Sequence, residues 1–170
     1  LPTRGHRPTE WPLRKTRSGA RFQNGDTLLA RITPCLENGK TGYVDFLDDG
    51  FIGWGSTEYI VIRPRPPLPA EWGYLLARDE TFRDYAAQKM EGTTGRQRVS
   101  ADSAGRYPVV VPSADVAERF GLLVTALFKR MASAHDENRV LEATRDALLP
   151  RLLSGELSVS SAKRVMEVEA

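Results

Sequence analysis

The sequence predicts an α+β fold: a curled, mostly antiparallel sheet with short helices over residues 1–112, then a long coiled-coil-forming α-helix over 113–155 and a tail over 156–170. Three observations predict it. Three β-rich runs separated by short turns fall within residues 27–62, and two short helical patterns follow a proline-rich break. An apolar seam spaced by three, four or seven residues then runs from Val116 to Leu148.

Residues 1–24 are rich in Pro, Arg, Thr and Gly and carry no period, so they read as loop with room for one short strand. Asn24-Gly25-Asp26 is a turn that launches a strand over Thr27-Leu28-Leu29-Ala30-Arg31-Ile32, and Thr33-Pro34 stops it because proline cannot donate to a ladder. Asn38-Gly39-Lys40-Thr41-Gly42 is the next turn and Tyr43-Val44-Asp45-Phe46 the next strand. After the Asp48-Asp49-Gly50 turn, the β-branched run Thr57–Ile62 is a third strand, closed by Pro64-Arg65-Pro66-Pro67. Glu71–Ala77 and Thr81–Met90 carry helical spacing through Leu75, Leu76, Phe82, Tyr85 and Ala86. Residues 91–106 return to glycine, threonine and basic residues, with a candidate strand at Gln97-Arg98-Val99, and Tyr107–Pro112 reads as an edge strand.

From Asp115 the texture changes. Val116, Phe120, Leu123, Leu127, Met131, Asn138, Leu141 and Leu148 lie on one heptad-like seam, interrupted by a step of four between Leu127 and Met131. Ser113 suits the N-cap, Asp115 the first turn, and Gly155 the C-terminal stop after a break or kink at Pro150. Thirty-five residues of helix measure about 50 Å, more than a sheet of this size offers. The seam is therefore expected to pair with another helix, and a polar Asn138 within it would favour one register. The competing reading folds the helix back on its own domain.

The 24 basic and 22 acidic residues nearly cancel, so net charge alone neither demands nor excludes a nucleic acid. The basic residues are concentrated early, with Arg4, Arg7, Arg14, Lys15, Arg17, Arg21, Arg31 and Lys40 in the first forty positions. One cysteine, Cys35, rules out an internal disulfide and points to a reducing, cytoplasmic setting. His6 and His135 lie far apart, which makes a zinc site unexpected, and no apolar run is long enough to span a membrane. A polar opening at Leu1 reads as a segment that starts mid-protein.

Few residues suggest chemistry. Cys35 has no histidine near it in sequence, and Asp45, Asp48 and Asp49 include a pair that a turn requires, so no catalytic constellation assembles. Gly39-Lys40-Thr41 is not a phosphate-binding loop, because Pro34 stands where its first glycine belongs and no helix follows. Lys40 and Thr41 could still meet a phosphate, although from the residues alone a solvated hairpin tip is the better explanation. Arg96-Gln97-Arg98, entered through Gly92 and Gly95, combines the side chains that read guanine and adenine with a backbone able to approach a groove. An ordinary charged edge strand is the alternative. Thr93 and Thr94 suit phosphates, Ser56 could be a turn residue, and Arg17 and Arg31 could follow a backbone.

Three stretches resemble a known family. Phe22–Ile32 followed by Glu37-Asn38-Gly39-Lys40 and a strand resembles the signature stretch of target-recognition domains in type I restriction-modification specificity subunits. Gly92–Val99 resembles the later loop and strand of such domains. Asn138–Leu141 and Arg145–Leu157 resemble the end of the family's spacer helix. Together they cover roughly residues 20–157 in the family's order. The block before Phe22 is shorter than usual, and Val111–Glu118 lacks the expected glutamine at the helix junction.

The resemblance implies a subunit without catalysis, cofactor or metal. It would place methyltransferase subunits, and possibly a restriction subunit, on double-stranded DNA. Complete members carry two recognition domains and two antiparallel spacer helices, so this chain would be a fragment or a half-length form that self-associates. The expected DNA contacts are Arg17, Arg31, Lys40, Thr41, Ser56, Thr93, Thr94, Arg96, Gln97 and Arg98. A helical protein-interaction module whose head binds protein instead of DNA is the alternative.

Overall fold

The structure, a computed structural model, describes residues 1–8, 11, 18–93 and 95–158. In chain order its elements are β1 (Arg21–Phe22), β2 (Thr27–Ala30), β3 (Thr41–Tyr43), β4 (Gly53–Trp54), β5 (Tyr59–Ile62), α1 (Glu71–Arg78), α2 (Glu80–Gln88), α3 (Ala101–Gly105) and α4 (Ala114–Leu153). Contacts divide the chain into one unit over Leu1–Arg130 and a second that begins at Met131.

The turn at Asn24-Gly25-Asp26 shows how a few residues start the sheet. Gly25 takes a positive φ of 89°, and the buried Asp26 carboxylate accepts a hydrogen bond from the Gln23 N–H at 2.8 Å. Arg63, just past β5, closes on the same carboxylate with Nε and Nη2 at 2.6 and 2.7 Å. A charge this deeply buried requires such partners. From there β2 runs between β3 and β5, antiparallel to both, with Leu28 opposite Gly42 and Val61 and Leu29 opposite Thr41 and Ile60.

Alternation sends successive β2 side chains to opposite faces. Leu29 joins Leu36, Ile60, Ala77, Phe82, Ala86, Val99 and Ala104 in one core, while Leu28 joins Phe22 and Val44 in another. Helices α1 and α2 share Asp79, which ends the first and caps the second by accepting from the Phe82 N–H at 2.9 Å. The free edge of β3 is covered by the N-terminal segment, since Thr41 and Tyr43 donate to the carbonyls of Pro2 and His6.

The expected curled sheet is not what forms. Among the described residues the strands make two ladders, the pair β1–β4 and the open three-stranded β3–β2–β5. Strands of two to four residues are too short to carry one continuous, staggered ladder around a curl, and no strand of one ladder pairs with the other. Two smaller expectations also fail. Tyr107–Pro112 stays outside any strand, exposing Val109, Val110 and Val111, and Gln97–Val99 contributes only isolated bridges at Arg98. Helix α3 was not anticipated; Ser100 caps it by accepting from the Ser103 N–H.

The beginning of α4 belongs to the first unit. Ala117, Val124 and Phe128 are buried, and a Cβ on Gly121 would touch Pro69 at 3.4 Å. Phe128 meets Tyr43, Tyr74 and His6 edge-on, with centroids at 4.9, 5.5 and 6.0 Å. Farther along, α4 passes through Pro150 and ends at Leu153. Pro150 removes the bond its own N–H would make and crowds the carbonyl four residues back, one turn before the helix ends, and Gly155 at φ 76° closes the last turn. Among the described residues no helix is long and apolar enough to cross a membrane.

Candidate nucleic-acid interface

Three segments converge where β2 ends. Arg31 follows β2 and donates its backbone N–H to the carbonyl of Glu58, the residue that leads into β5. Val99 donates to the Arg31 carbonyl and is itself fully buried, which fixes the base of the preceding loop in the core. Glu91 and Arg98 exchange both backbone hydrogen bonds, at 2.9 and 2.8 Å, and so pinch off the loop 92–97. Gly92 and Gly95 sit at φ 125° and 83°, backbone that other residues rarely adopt, and this lets the loop reverse between that pair.

The side chains at this end are predominantly basic. Arg98 donates Nε to Glu58 Oε2 at 2.8 Å and Nη2 to Oε1 at 2.7 Å, a two-pronged pair. Those hydrogen bonds from Arg98 hold the Glu58 carboxyl below the usual carboxylate range, and the charges of Arg31 and Arg96 pull the same way. Arg96 is exposed, Gln97 half-buried, and the Gln97 carbonyl is held by the Thr33 N–H at 3.0 Å. Arg31 is half-buried, and its Nε is enclosed with no hydrogen-bond partner among the described residues. One carboxylate thus faces three guanidinium groups, and the excess positive charge suits an anionic or acceptor-rich ligand.

The other expected contacts distribute unevenly. Ser56 belongs to the same end, its hydroxyl accepting from the Glu58 N–H at 3.1 Å. Lys40, just before β3 begins, accepts the Ala30 N–H at its carbonyl, one residue short of Arg31 along the β2 segment. Thr93 is exposed on the loop. Thr41 is not at a hairpin tip: it is a strand residue opposite Leu29, fully buried, with its hydroxyl enclosed. The reason is the connection from β2. Leu36, Asn38 and Lys40 donate back to Ile32, Pro34 and Cys35, which winds the chain through Gly39 and starts β3 at Thr41. Arg17 and Thr94 lie outside the described residues.

Sequence reasoning missed Glu58, whose partner Arg98 is 40 positions away. It also missed the inner stripe of α4. The residues expected to form the helix seam are all exposed in this single chain: Val116, Phe120, Leu123 and Leu127 in the first unit, Met131, Asn138, Leu141 and Leu148 in the second. At 3.6 residues per turn, the exposed stripe lies about 90° around the helix from Ala117, Val124 and Phe128. Among the described residues no group of three or more His, Cys, Asp or Glu is placed to hold a metal ion.

No family model matches the chain. Over 108 residues, 62% of its length, it is 34% identical to the type I restriction enzyme EcoAI specificity subunit of Escherichia coli. It is 34% identical over 92 residues to the EcoEI specificity subunit of the same organism, and 28% identical over 96 residues to the HindI specificity subunit of Haemophilus influenzae. Over these stretches the chain matches the type I specificity-subunit family. The matched stretch spans 18%, 15% and 21% of those relatives, about a fifth of their length or less. The resemblance read from Phe22–Ile32 and the later segments therefore holds at the level of the family.

Proposed function

We propose that this chain supplies one sequence-reading head and its spacer helix to a type I restriction-modification specificity subunit. The head reads one half-site of double-stranded DNA with the basic end of the β3–β2–β5 sheet. The exposed stripe of α4 pairs with a second helix of the same kind, from another copy or from a second half of a longer subunit. Methyltransferase subunits, and a restriction subunit where one exists, carry out the chemistry, and this chain adds no reaction of its own.

The similarity to specificity subunits is the observation that carries this reading, and the cluster of Arg31, Arg96 and Arg98 is what supports placing DNA there. The loop 92–97 carries Arg96 and Gln97 between the paired Glu91 and Arg98, so its backbone is fixed at both ends, as a groove-reading element requires.

A randomised duplex pool, offered to the chain together with its methyltransferase partners, tests the proposal by gel shift and sequencing. Enrichment of one short motif, with affinity that falls steeply as salt rises, is the expected result. Absence of any enriched motif would overturn it.

A further inference from the structure

We propose that Glu58 is a specificity-determining residue, which presents Arg98 to a pair of acceptors on a base edge and discourages its use on phosphate. The inference deepens the DNA-reading proposal and rests on it. Its basis is which edge of the guanidinium is occupied. Nε donates to both carboxylate oxygens, at 3.0 Å to Oε1 and 2.8 Å to Oε2, and Nη2 donates to Oε1 at 2.7 Å. Nη1 makes one long contact of 3.4 Å to the Arg96 carbonyl.

An arginine carries five N–H donors in a rigid fork. Glu58 takes the side edge, so the outward hydrogens on Nη1 and Nη2 remain as a parallel pair. That pair matches the two acceptors that guanine displays in the major groove. The fork cannot turn to offer another edge without breaking the bonds to Glu58. Arg98 is held at its backbone as well, by the paired bonds to Glu91 and the bridge to Ile32.

Charge adds selectivity. Together, Arg98 and Glu58 carry no net charge, so bringing a phosphate to Arg98 also brings it to a carboxylate. Phosphate gains from positive charge, whereas a base edge gains from directed hydrogen bonds to neutral acceptors. Glu58 thus weakens the sequence-independent use of Arg98 and leaves the sequence-dependent one. Arg31 and Arg96, neither of them held in a two-pronged carboxylate pair among the described residues, supply the positive field that brings the backbone close.

The test compares Glu58→Gln and Arg98→Ala with the unaltered chain, each bound to its methyltransferase partners, on the enriched duplex and on a scrambled one across a salt series. Glu58→Gln should tighten binding to the scrambled duplex several-fold and steepen its log–log salt slope by about 0.9, the value for one added phosphate contact. Its preference at a single base pair should fall about tenfold, and Arg98→Ala should lose preference at that same base pair. A thermal melt confirms that each variant is folded; if Glu58→Gln is not, Glu58→Lys read against Glu58→Ala gives the same comparison. Preference lost in Arg98→Ala with salt slope and preference unmoved in every folded Glu58 variant overturns this inference and leaves the DNA reading standing. A chain that enriches no motif overturns both.

Discussion

Replacing Phe128 with alanine should destabilise the first unit by about 3–4 kcal/mol, while the same change at its neighbour Leu127 should cost less than about 0.5 kcal/mol. The two side chains are adjacent on one helix, yet Phe128 is 5% exposed and Leu127 52%. Burying a phenylalanine contributes about 1.5–3 kcal/mol, and each edge-on ring pair adds about 0.5–1.5 kcal/mol. Phe128 has such pairs with Tyr43, Tyr74 and His6, and truncation would leave a cavity between β3 and α1 that neither backbone can collapse to fill. Urea titrations followed by tryptophan fluorescence at low protein concentration would measure both losses. Converted to heat, the larger one corresponds to a melting temperature lower by roughly 10 °C. If Phe128→Ala stayed within about 1 kcal/mol of the unaltered chain, the inner face of α4 would be assigned wrongly.

Three further outcomes are expected. Arg63→Ala should cost about 3 kcal/mol in the same titration because it strands the buried Asp26 carboxylate, and Asp26→Asn should cost less because the released Arg63 already reaches water. Burial raises the Asp45 carboxyl, but hydrogen bonds and charge from His6 and Arg7 outweigh it, so its folded pKa lies below the ordinary value. Stability from this group is present above the unfolded pKa and disappears as pH falls through the folded one, so Asp45→Asn should flatten the loss of stability below about pH 4. Sedimentation of the unaltered chain should show self-association, and Leu123→Glu with Leu127→Glu should abolish it without lowering the stability of the head; a monomer at tens of micromolar before substitution would refute helix pairing between copies.

What the sequence made legible was local. Asn24-Gly25-Asp26 followed by Thr27–Ala30 reads as turn and strand because both signals lie within a few residues. Helices α1 and α2 were visible for the same reason, and α4 because its periodicity is long. Thr41 was misplaced by the winding of residues 32–40, a geometry that Asn38-Gly39 does not reveal. The curl was inferred from the number of strands, whereas sheet continuity depends on which strands pair, and β1 pairs with β4 across 30 intervening positions. Glu58 escaped notice because an acidic residue before a strand is ordinary until its distant partner is known. The two stripes of α4 were both readable in principle, since Ala117, Gly121, Val124 and Phe128 also keep helical spacing. Composition favoured the outer stripe, with its larger side chains, while tertiary packing used the inner one, whose Ala117 and Gly121 allow close approach.

That division of α4 would give the proposed DNA-reading head a defined geometry. Phe128 seats the helix on Tyr43 of β3, and β3 is hydrogen-bonded to β2, whose end carries Arg31. The Arg31 carbonyl in turn accepts from Val99, two residues past the loop 92–97. The chain of contacts from the outward stripe at Val116, Phe120, Leu123 and Leu127 to the loop 92–97 therefore passes through ladder hydrogen bonds and a packed aromatic cluster, elements that resist small displacements. A partner helix seated on that stripe would index the loop as well as hold the subunit together. Base discrimination by a two-pronged arginine tolerates little misplacement, so this coupling is what would let a helical spacer set where along the duplex Arg98 reads. Phe128→Ala and Leu127→Ala separate the two demands: the first loosens the seat of the helix, and the second leaves it intact while trimming the surface that a partner would cover.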